Sequence, residues 1–181
     1  MKLTEETLEQ NYIYRGKILD FHVDKARLGD GRIVTRECVD HNGGVGIAVL
    51  TEDDEMLFVR QYRYPYHEIL LEAPAGKLEK GEDPFEAAKR EQKEETGTTG
   101  KNYIDLGKFY PSPGYTNEIL HLYACRADTY GELNLDDGEF LETVRIPLAK
   151  AAEMVMNGEV PNAITQVLVL KTARLLEQGK I

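Results

Sequence analysis

The stretch that decides the fold is GKLEKGEDPFEAAKREQKEETG, which runs from Gly76 to Gly97. Its second half carries the start and stop signals of one helix. Asp83 is a helix-capping residue, and Pro84 suits the first helical position because its missing N–H would have no partner there. Gly97 is typical of the residue that ends a helix in a left-handed conformation. The pattern therefore predicts a helix from Pro84 to about Thr96.

Three glutamates crowd the last turns of this predicted helix, and they share one face by their three and four spacing: Glu91, Glu94 and Glu95. Acids near a helix carboxyl end oppose the macrodipole and cost about 0.3–1 kcal/mol each. A divalent cation would make the cluster favourable, because hard cations such as Mg²⁺ bind carboxylate oxygens. Glu82, just before the helix, is a weaker metal candidate. The alternative is an ordinary solvated, glutamate-rich helix face.

Composition narrows the class of protein. The 181 residues suit one domain with at most a modest extension, and the net charge of −10 argues against a nucleic-acid surface. No stretch of 18 apolar residues predicts a membrane span. Cys38 and Cys125 lie in predicted strands and are interpreted as small buried residues, and we expect a reducing, cytoplasmic setting. A small anionic ligand would need local arginines or a bound metal.

Periodicity predicts the rest of the fold. Alternating residues on both sides of Leu28-Gly29-Asp30-Gly31 predict a long β-hairpin from Tyr12 to His41. Further strands are predicted on both sides of a turn at Glu52–Glu55, in HEILLEAPAG, and around 103–109 and 119–126, with helices at 147–157 and 163–178. This order predicts an α/β fold, with a mixed sheet covered by helices on both faces. His41, His67 and His121 have no partner spacing and are interpreted as structural.

The Gly76–Gly97 segment resembles the Nudix box, whose pattern is G-x5-E-x7-R-E-U-x-E-E-x-G-U, where U is aliphatic. Every glycine and charged position matches: Gly76, Glu82, Arg90, Glu91, Glu94, Glu95 and Gly97. Gln92 and Thr98 depart from the pattern, because they stand where the family has aliphatic residues. Both are packing positions, so the departure concerns the packing of the box helix and not the charged residues.

The resemblance implies a Nudix fold, an α/β/α sandwich around a mixed sheet, and hydrolysis of a nucleoside diphosphate linked to another moiety. It implies Mg²⁺ as the cofactor, with Mn²⁺ able to substitute, on Glu91, Glu94 and Glu95. Glu94 and Arg90 are also expected among the catalytic residues, Arg90 by orienting a box glutamate. A simple helix salt bridge is the alternative for Arg90. The carbonyl of Ala75 is expected to complete the metal shell.

Several motifs outside the box resemble the ADP-ribose pyrophosphatase branch of the family: RECVDHNGGVGIAVL, VRQYRYP, EAPAGKLE and SPGYTNE. By position, Arg63 and Glu72 are expected to contact the nucleotide or pyrophosphate, and Pro113 and Gly114 to lie on the substrate side. The resemblance implies hydrolysis of ADP-ribose to AMP and ribose 5-phosphate. A nucleotide-sugar pyrophosphatase acting on a GDP-mannose-like substrate is the alternative, and a non-catalytic ligand sensor is a third reading.

The acidic segment LDDGEFLE, residues 135–142, resembles the loop that supplies a catalytic glutamate in this branch. Glu139 and Glu142 are the candidate general bases, with Glu139 preferred. A solvated acidic turn is the alternative.

The predicted hairpin precedes the part of the chain that resembles the hydrolase core. We expect residues 1–42 to form a strand extension used for dimerisation, and residues 43–181 to form the Nudix domain. The hairpin arms carry more apolar residues than a free hairpin could leave in water. The ADP-ribose pyrophosphatase branch pairs two such extensions, which implies a homodimer in which Arg36 and Glu37 reach the partner's substrate. The alternative is a hairpin that packs on its own core.

Overall fold

The computed structural model describes residues 2–135, 138 and 140–181. Within these described residues the chain forms eleven strands and three helices. The strands are β1 (Glu6–Glu9), β2 (Tyr12–Arg15), β3 (Leu19–Arg27), β4 (Ile33–His41), β5 (Gly44–Leu50), β6 (Glu55–Arg63), β7 (Glu68–Glu72), β8 (Ala75–Lys77), β9 (Thr98–Phe109), β10 (Leu120–Tyr130) and β11 (Leu141–Pro147). The helices are α1 (Pro84–Thr96), α2 (Leu148–Met156) and α3 (Ala163–Glu177).

The chain divides into two units, of which the first contains the residues up to Gly43 together with Tyr110–Ile119. Its four-stranded sheet is built around β3, which pairs with β1, β2 and β4. Strands β3 and β4 form the predicted hairpin, in antiparallel register from Leu19 opposite His41 to Arg27 opposite Ile33. The predicted hairpin is therefore confirmed, but the segment Tyr110–Ile119 joins it, although the sequence assigns that segment to the hydrolase domain.

The first arm of the hairpin is not the single long strand that the sequence analysis predicts. It breaks at Gly16, and β2 folds back to pair antiparallel with β3. The N–H of Gly16 donates to the carbonyl of Leu19 at 3.0 Å, and a Cβ at Gly16 would lie 2.8 Å from that oxygen. Only glycine allows so tight a turn here. Alternation of apolar residues continues through the turn, which is why the pattern does not reveal the break.

The second unit contains Gly44–Phe109 and Leu120–Ile181. It holds a seven-stranded sheet in the order β11-β6-β5-β10-β9, with β7 added beside β6 and β8 added beside β5. Strands β5 and β10 are parallel, whereas the other strand pairs among the described residues of this sheet are antiparallel. The predicted mixed sheet is therefore confirmed.

Helices cover both faces of this sheet, and the central strand β5 shows how. Its side chains alternate between two cores, as expected for a strand buried on both sides. Val45, Ile47 and Val49 pack with Ala87 and Ala88 of α1. Ala48 and Leu50 lie in the other core, with residues of α2 and α3: Leu148, Ala151, Val155, Leu168 and Val169. The chain thus has the predicted α/β/α sandwich.

Helix α1 begins and ends where the sequence signals predict. The side chain of Asp83 accepts hydrogen bonds from the N–H groups of Phe85 and Glu86 at 3.0 and 3.1 Å, and Pro84 occupies the first helical position. Gly97 ends the helix in a left-handed conformation with φ of 66°, and its N–H donates to the carbonyl of Lys93. These caps fix the residues at which α1 begins and ends.

The remaining elements are predicted in part. Helices α2 and α3 lie within a residue or two of their predicted bounds, and β9 and β10 exist but extend further than expected. Strands β1 and β11 were not predicted. The β11 strand pairs antiparallel with β6 over its whole length, from Leu141 opposite Gln61 to Pro147 opposite Glu55. No described helix is both long enough and apolar enough to cross a membrane.

Candidate active site

An open cleft of about 570 Å³ in the second unit brings together the loop before the box helix and the ends of the central strands. Arg63 lies at the end of β6, and Ala75, Gly76 and Lys77 form β8. Glu91 reaches the same cleft from α1, so the charged residues that line the cleft are Arg63, Lys77 and one box glutamate. A cleft of this size suits a small-molecule substrate.

Gly76 holds the first glycine position of the box, and the structure explains why a glycine stands there. A Cβ built on Gly76 would overlap the carboxylate of Glu91. The carboxylate therefore lies directly against the backbone of β8, in space that any side chain would fill. This contact ties the amino end of the box segment to its glutamates.

Arg90 binds three acids at once. Its Nε donates to Glu82 at 2.9 Å, and one terminal nitrogen donates to Glu91 at 2.8 Å and to Glu94 at 2.9 Å. The hydrogen bond to Glu82 is the main reason that the pKa of Arg90 is raised, and the same bond lowers the pKa of Glu82. Arg90 thus orients two box glutamates, and the i, i+4 salt bridge to Glu94 is one part of that arrangement.

Glu95 is held differently from the other box glutamates. It is only 2% exposed, and its Oε2 accepts a hydrogen bond from the N–H of Ala75 at 3.0 Å. The hydroxyl of Thr143, on β11, donates to the backbone carbonyl of Glu95 at 3.1 Å. Glu95 is therefore fixed between α1, β8 and β11, and Ala75 meets the box helix through its N–H.

This donor set fits a hard divalent cation. Glu82, Glu91 and Glu94 carry three negative charges against the single positive charge of Arg90, which leaves a formal charge of −2 before Glu95 is counted. The groups that Arg90 gathers are carboxylates, whose oxygens are ligands that Mg²⁺ and Mn²⁺ prefer. A half-buried cluster with this excess of negative charge is costly without a cation. Glu82 is the exception, because it is already held by Arg90 and by the N–H of Glu79.

Gln92 and Thr98, the two departures from the family pattern, contact each other. Both are fully buried, and the Gln92 amide donates to the Thr98 hydroxyl at 3.1 Å. The Gln92 amide oxygen accepts from the hydroxyl of Tyr103 at 2.9 Å. Burial raises the pKa of Tyr103 to about 12, so this phenol remains a donor at neutral pH. A satisfied polar network therefore replaces the apolar packing expected beneath the box helix.

Arg63 and Glu72 form a pair instead of facing the cleft separately. The Arg63 guanidinium donates to one carboxylate oxygen of Glu72 through two nitrogens, at 2.8 and 2.7 Å. Glu72 is 2% exposed, and its other oxygen accepts from the side-chain amide of Asn162 at 2.7 Å. Arg63 lines the cleft, and Glu72 lies behind it and fixes its direction. Sequence reasoning missed Asn162, whose only local signal is that of the residue that caps α3.

Of the two candidate general bases, Glu139 and Glu142, the structure describes only Glu142. Glu139 lies outside the described residues, but its neighbour Gly138 lines the cleft. Glu142 is exposed on β11, opposite Arg60 of β6. It belongs to a different pocket, lined with Tyr62, Ile69 and Phe140. Because side chains alternate along a strand, Glu142 points to the opposite face from Thr143, which contacts the box helix. The described residues thus do not bring Glu142 to the cleft.

The other predicted substrate residues belong to the first unit. Arg36 lies on β4, where its guanidinium donates to both carboxylate oxygens of Glu5 at 2.9 and 2.7 Å, and the neighbouring Glu37 is exposed. Pro113 and Gly114 form an exposed turn closed by hydrogen bonds to the carbonyl of Ser112. Their predicted contacts with substrate stay predictions.

A sandwich that clusters carboxylates on one helix, and places one of them in an open cleft with an arginine, is typical of a class of protein: metal-dependent enzymes that act on phosphates. The family model for the NUDIX domain matches residues 40–164. The chain belongs to the Nudix family and is a Nudix hydrolase, and members of this family generally use a divalent metal.

Three relatives show the range of functions near this chain. An ADP-ribose pyrophosphatase of Bacillus subtilis is 38% identical over 94% of this chain and 96% of its own length. A methanol dehydrogenase activator of Bacillus methanolicus is 35% identical over 91% of this chain and 90% of its own length. A GDP-mannose pyrophosphatase of Yersinia enterocolitica is 29% identical over 77% of this chain and 78% of its own length.

Proposed function

We propose that the chain hydrolyses the pyrophosphate bond of ADP-ribose to give AMP and ribose 5-phosphate, with Mg²⁺ as the cofactor and Mn²⁺ able to substitute. The observation that carries this proposal is the 38% identity to an ADP-ribose pyrophosphatase over nearly the full length of both chains. The geometry supports it, because Glu91 of the box and Arg63 line one cleft of suitable size.

Glu91, Glu94 and Glu95 are the residues that would hold the divalent ion, together with the carbonyl of Ala75. When bound, the ion supplies neutralisation of the pyrophosphate oxygens and favours deprotonation of water. The protein contributes the arrangement of the ligands. Arg90 holds Glu91 and Glu94 at 2.8 and 2.9 Å, and the N–H of Ala75 holds Glu95. This preorganisation means that little rearrangement is needed when substrate arrives.

Arg63 is proposed to bind a phosphate of the substrate. Guanidinium groups bind phosphate oxygens through paired, charge-assisted hydrogen bonds, and they do so best when their direction is fixed. Glu72 and Asn162 fix Arg63 from behind, through bonds of 2.7–2.8 Å. Glu72 therefore acts in this proposal through Arg63, as a positioning residue, and not by contact with the nucleotide.

Glu139 is proposed as the general base that takes a proton from the attacking water. The water oxygen then bonds to one phosphorus atom while the bridging P–O bond breaks, which separates the two phosphates. Support comes from Gly138, which lines the cleft one residue away, and from the position of Glu142 in another pocket. Glu142 is accordingly the second candidate.

A GDP-mannose-like nucleotide sugar is the alternative substrate, since a GDP-mannose pyrophosphatase is also similar to this chain at 29% identity. A panel of ADP-ribose, GDP-mannose and related compounds, with detection of the released phosphomonoesters, separates the two. The proposal predicts the highest kcat/KM with ADP-ribose. A higher value with GDP-mannose would replace the proposed substrate, and no turnover of any compound would favour a non-catalytic sensor. The intact box glutamates argue against a sensor.

We also propose that the chain works as a homodimer through residues 1–42, with Arg36 and Glu37 acting across the interface. The first unit exposes large apolar side chains that a partner could cover: Ile13, Tyr14, Ile18, Leu19 and Ile33. Light scattering at micromolar protein should give the mass of a dimer, and a fully active monomer would contradict the proposal. A cytoplasmic location is proposed as well, supported by two cysteines that are both free.

A further inference from the structure

A cluster of chemically mixed side chains lies on one face of the sheet in the first unit. His22 on β3 stands directly opposite Cys38 on β4, and Asp20 stands opposite Asp40. Because side chains alternate along a strand, Asp24 and Asp40 share the face of His22 and Cys38. Residues far apart in sequence therefore meet through the register of this one strand pair.

The cluster is buried enough to matter energetically. His22 is 4% exposed and Asp24 is 7% exposed, whereas Cys38 is half-buried. The Nδ1 of His22 lies 2.7 Å from a carboxylate oxygen of Asp24. The nitrogen, oxygen and sulfur atoms that His22, Asp24 and Cys38 offer all lie within 4.8 Å of one another. Polar groups are rarely buried together in this way without a structural or binding role.

A further shell of polar groups supports the imidazole from its other side. The Nε2 of His22 lies 3.5 Å from Asp40. Asp40 is itself held, because it accepts hydrogen bonds from the Tyr12 hydroxyl at 2.7 Å and from the Asn117 amide at 2.6 Å. A carboxylate that binds the second nitrogen of a histidine is the usual outer partner of a metal-binding imidazole.

Among the described residues no arginine bonds Asp24 or Asp40, whereas Arg90 bonds three acids in the box. Arg36 stands opposite Asp24 in the register, but its guanidinium is bound by both carboxylate oxygens of Glu5. Two carboxylates, Asp24 and Asp40, thus flank one imidazole. The hydrogen bond to Asp24 and the nearby Asp40 raise the pKa of His22, so this site favours positive charge.

We propose that His22, Asp24 and Cys38 form a second metal site, selective for a borderline-soft divalent cation of the Zn²⁺ class. Imidazole, thiolate and carboxylate are the ligands that Zn²⁺ and Co²⁺ accept together, whereas Mg²⁺ avoids thiolate. Tetrahedral Zn²⁺ places such ligand atoms roughly 3.4–3.8 Å apart. The longest separation, up to 4.8 Å, must therefore shorten by about 1 Å, and the 2.7 Å between His22 Nδ1 and Asp24 must widen by about as much. Side-chain rotation can supply both changes.

Binding proceeds without any redox change. With a neutral imidazole, the cation takes the place of the proton between His22 Nδ1 and Asp24, and that proton moves to Nε2, which then donates a hydrogen bond to Asp40. Cys38 binds as the thiolate and releases its proton to solvent, so one proton leaves for each cation bound. Water completes the coordination, or the side-chain oxygen of Gln10 does so once its amide, whose nitrogen lies 3.4 Å from Nδ1 of His22, has turned over. The site would clamp β3 to β4.

Cobalt titration of the full-length, reduced, metal-free protein tests this site separately from the box. A thiolate bound to Co²⁺ absorbs in the near ultraviolet by charge transfer, and the box offers only oxygen ligands. We expect this absorption to saturate at one Co²⁺ per chain. Cys38→Ser should abolish the absorption, and Cys125→Ser, the matched control, should retain it.

Two further variants keep the sulfur and test the other groups. Asp40→Asn should weaken Co²⁺ binding about 10–100-fold, and His22→Gln should weaken it more. Circular dichroism reports whether each variant folds. No charge-transfer absorption in the wild-type protein, or absorption that persists in Cys38→Ser, would overturn the proposal. The cluster would then be a hydrogen-bond network without a cation.

Discussion

The box cluster, formed by Arg90 with Glu82, Glu91 and Glu94, and the cluster around His22 both gather buried or half-buried acids, but they neutralise them differently. In the box one guanidinium bridges three carboxylates at 2.8–2.9 Å. In the first unit an imidazole lies between Asp24 and Asp40, and a thiol stands opposite it. The box presents oxygen donors alone, while the second cluster presents nitrogen, oxygen and sulfur.

This difference shows that the ligand atoms of an acid cluster, more than its negative charge, determine which metal ion the cluster can bind. Oxygen donors suit Mg²⁺ and Mn²⁺, which keep waters and substrate phosphates as further ligands. A thiolate and an imidazole suit Zn²⁺ and Co²⁺. Arg90 also gives the box a fixed geometry before any ion binds.

The largest effect is expected from Glu95→Gln, which removes a ligand charge from the box while keeping the side-chain shape. We expect kcat to fall by about 10³-fold, which corresponds to a loss of about 4 kcal/mol of transition-state stabilisation. The rate of ADP-ribose hydrolysis with Mg²⁺ measures this fall. Glu86→Gln on the same helix makes the same charge change at an exposed residue paired with Lys89, and it should leave turnover unchanged. Equal losses in both variants would show a general effect of charge.

Glu139→Gln should lower kcat by at least about 10²-fold and change KM little. Removal of a general base has effects of this order. Glu142→Gln is the control and should keep the wild-type rate, since Glu142 lies on β11 in a different pocket. A loss in Glu142→Gln alone would make Glu142 the base. If neither variant is slowed, the acidic loop does not supply one.

The smallest effect concerns the support of the box helix. Gln92→Leu should cost about 1–3 kcal/mol of unfolding free energy, because the Tyr103 hydroxyl then loses its acceptor. The double variant Gln92→Leu with Thr98→Val should cost less than the sum of the single changes, since the two residues bond each other. Urea unfolding measures all three. Additive costs would contradict a coupled pair.

The sequence predicts best those features that lie within one element. The caps at Asp83 and Gly97 and the spacing of the box glutamates are local, so the bounds of α1 and the shared face follow from the chain alone. Strand β1 is exposed at all four residues and shows no apolar alternation. Strand β11 begins inside an acidic segment that is typical of a turn, so both strands were missed.

Features made by pairing between distant segments are less predictable. Asn162 supports Glu72 across 90 residues, and His22 meets Cys38 only through the register of β3 and β4. Spacing in the sequence carries no trace of either contact. The exchange of two aliphatic positions for Gln92 and Thr98 is visible in the sequence, but only the structure shows that the two side chains bond each other.

The central claim is that the glutamates near the end of α1 are there to hold a divalent cation. Mn²⁺ binding to the metal-free protein, measured by the loss of the free Mn²⁺ paramagnetic resonance signal, tests it most directly. We predict that Glu95→Gln raises the dissociation constant by more than about 10-fold and that Glu86→Gln changes it by less than about twofold. Cys38→Ser should leave it unchanged. Equal weakening in Glu86→Gln and Glu95→Gln would contradict the account.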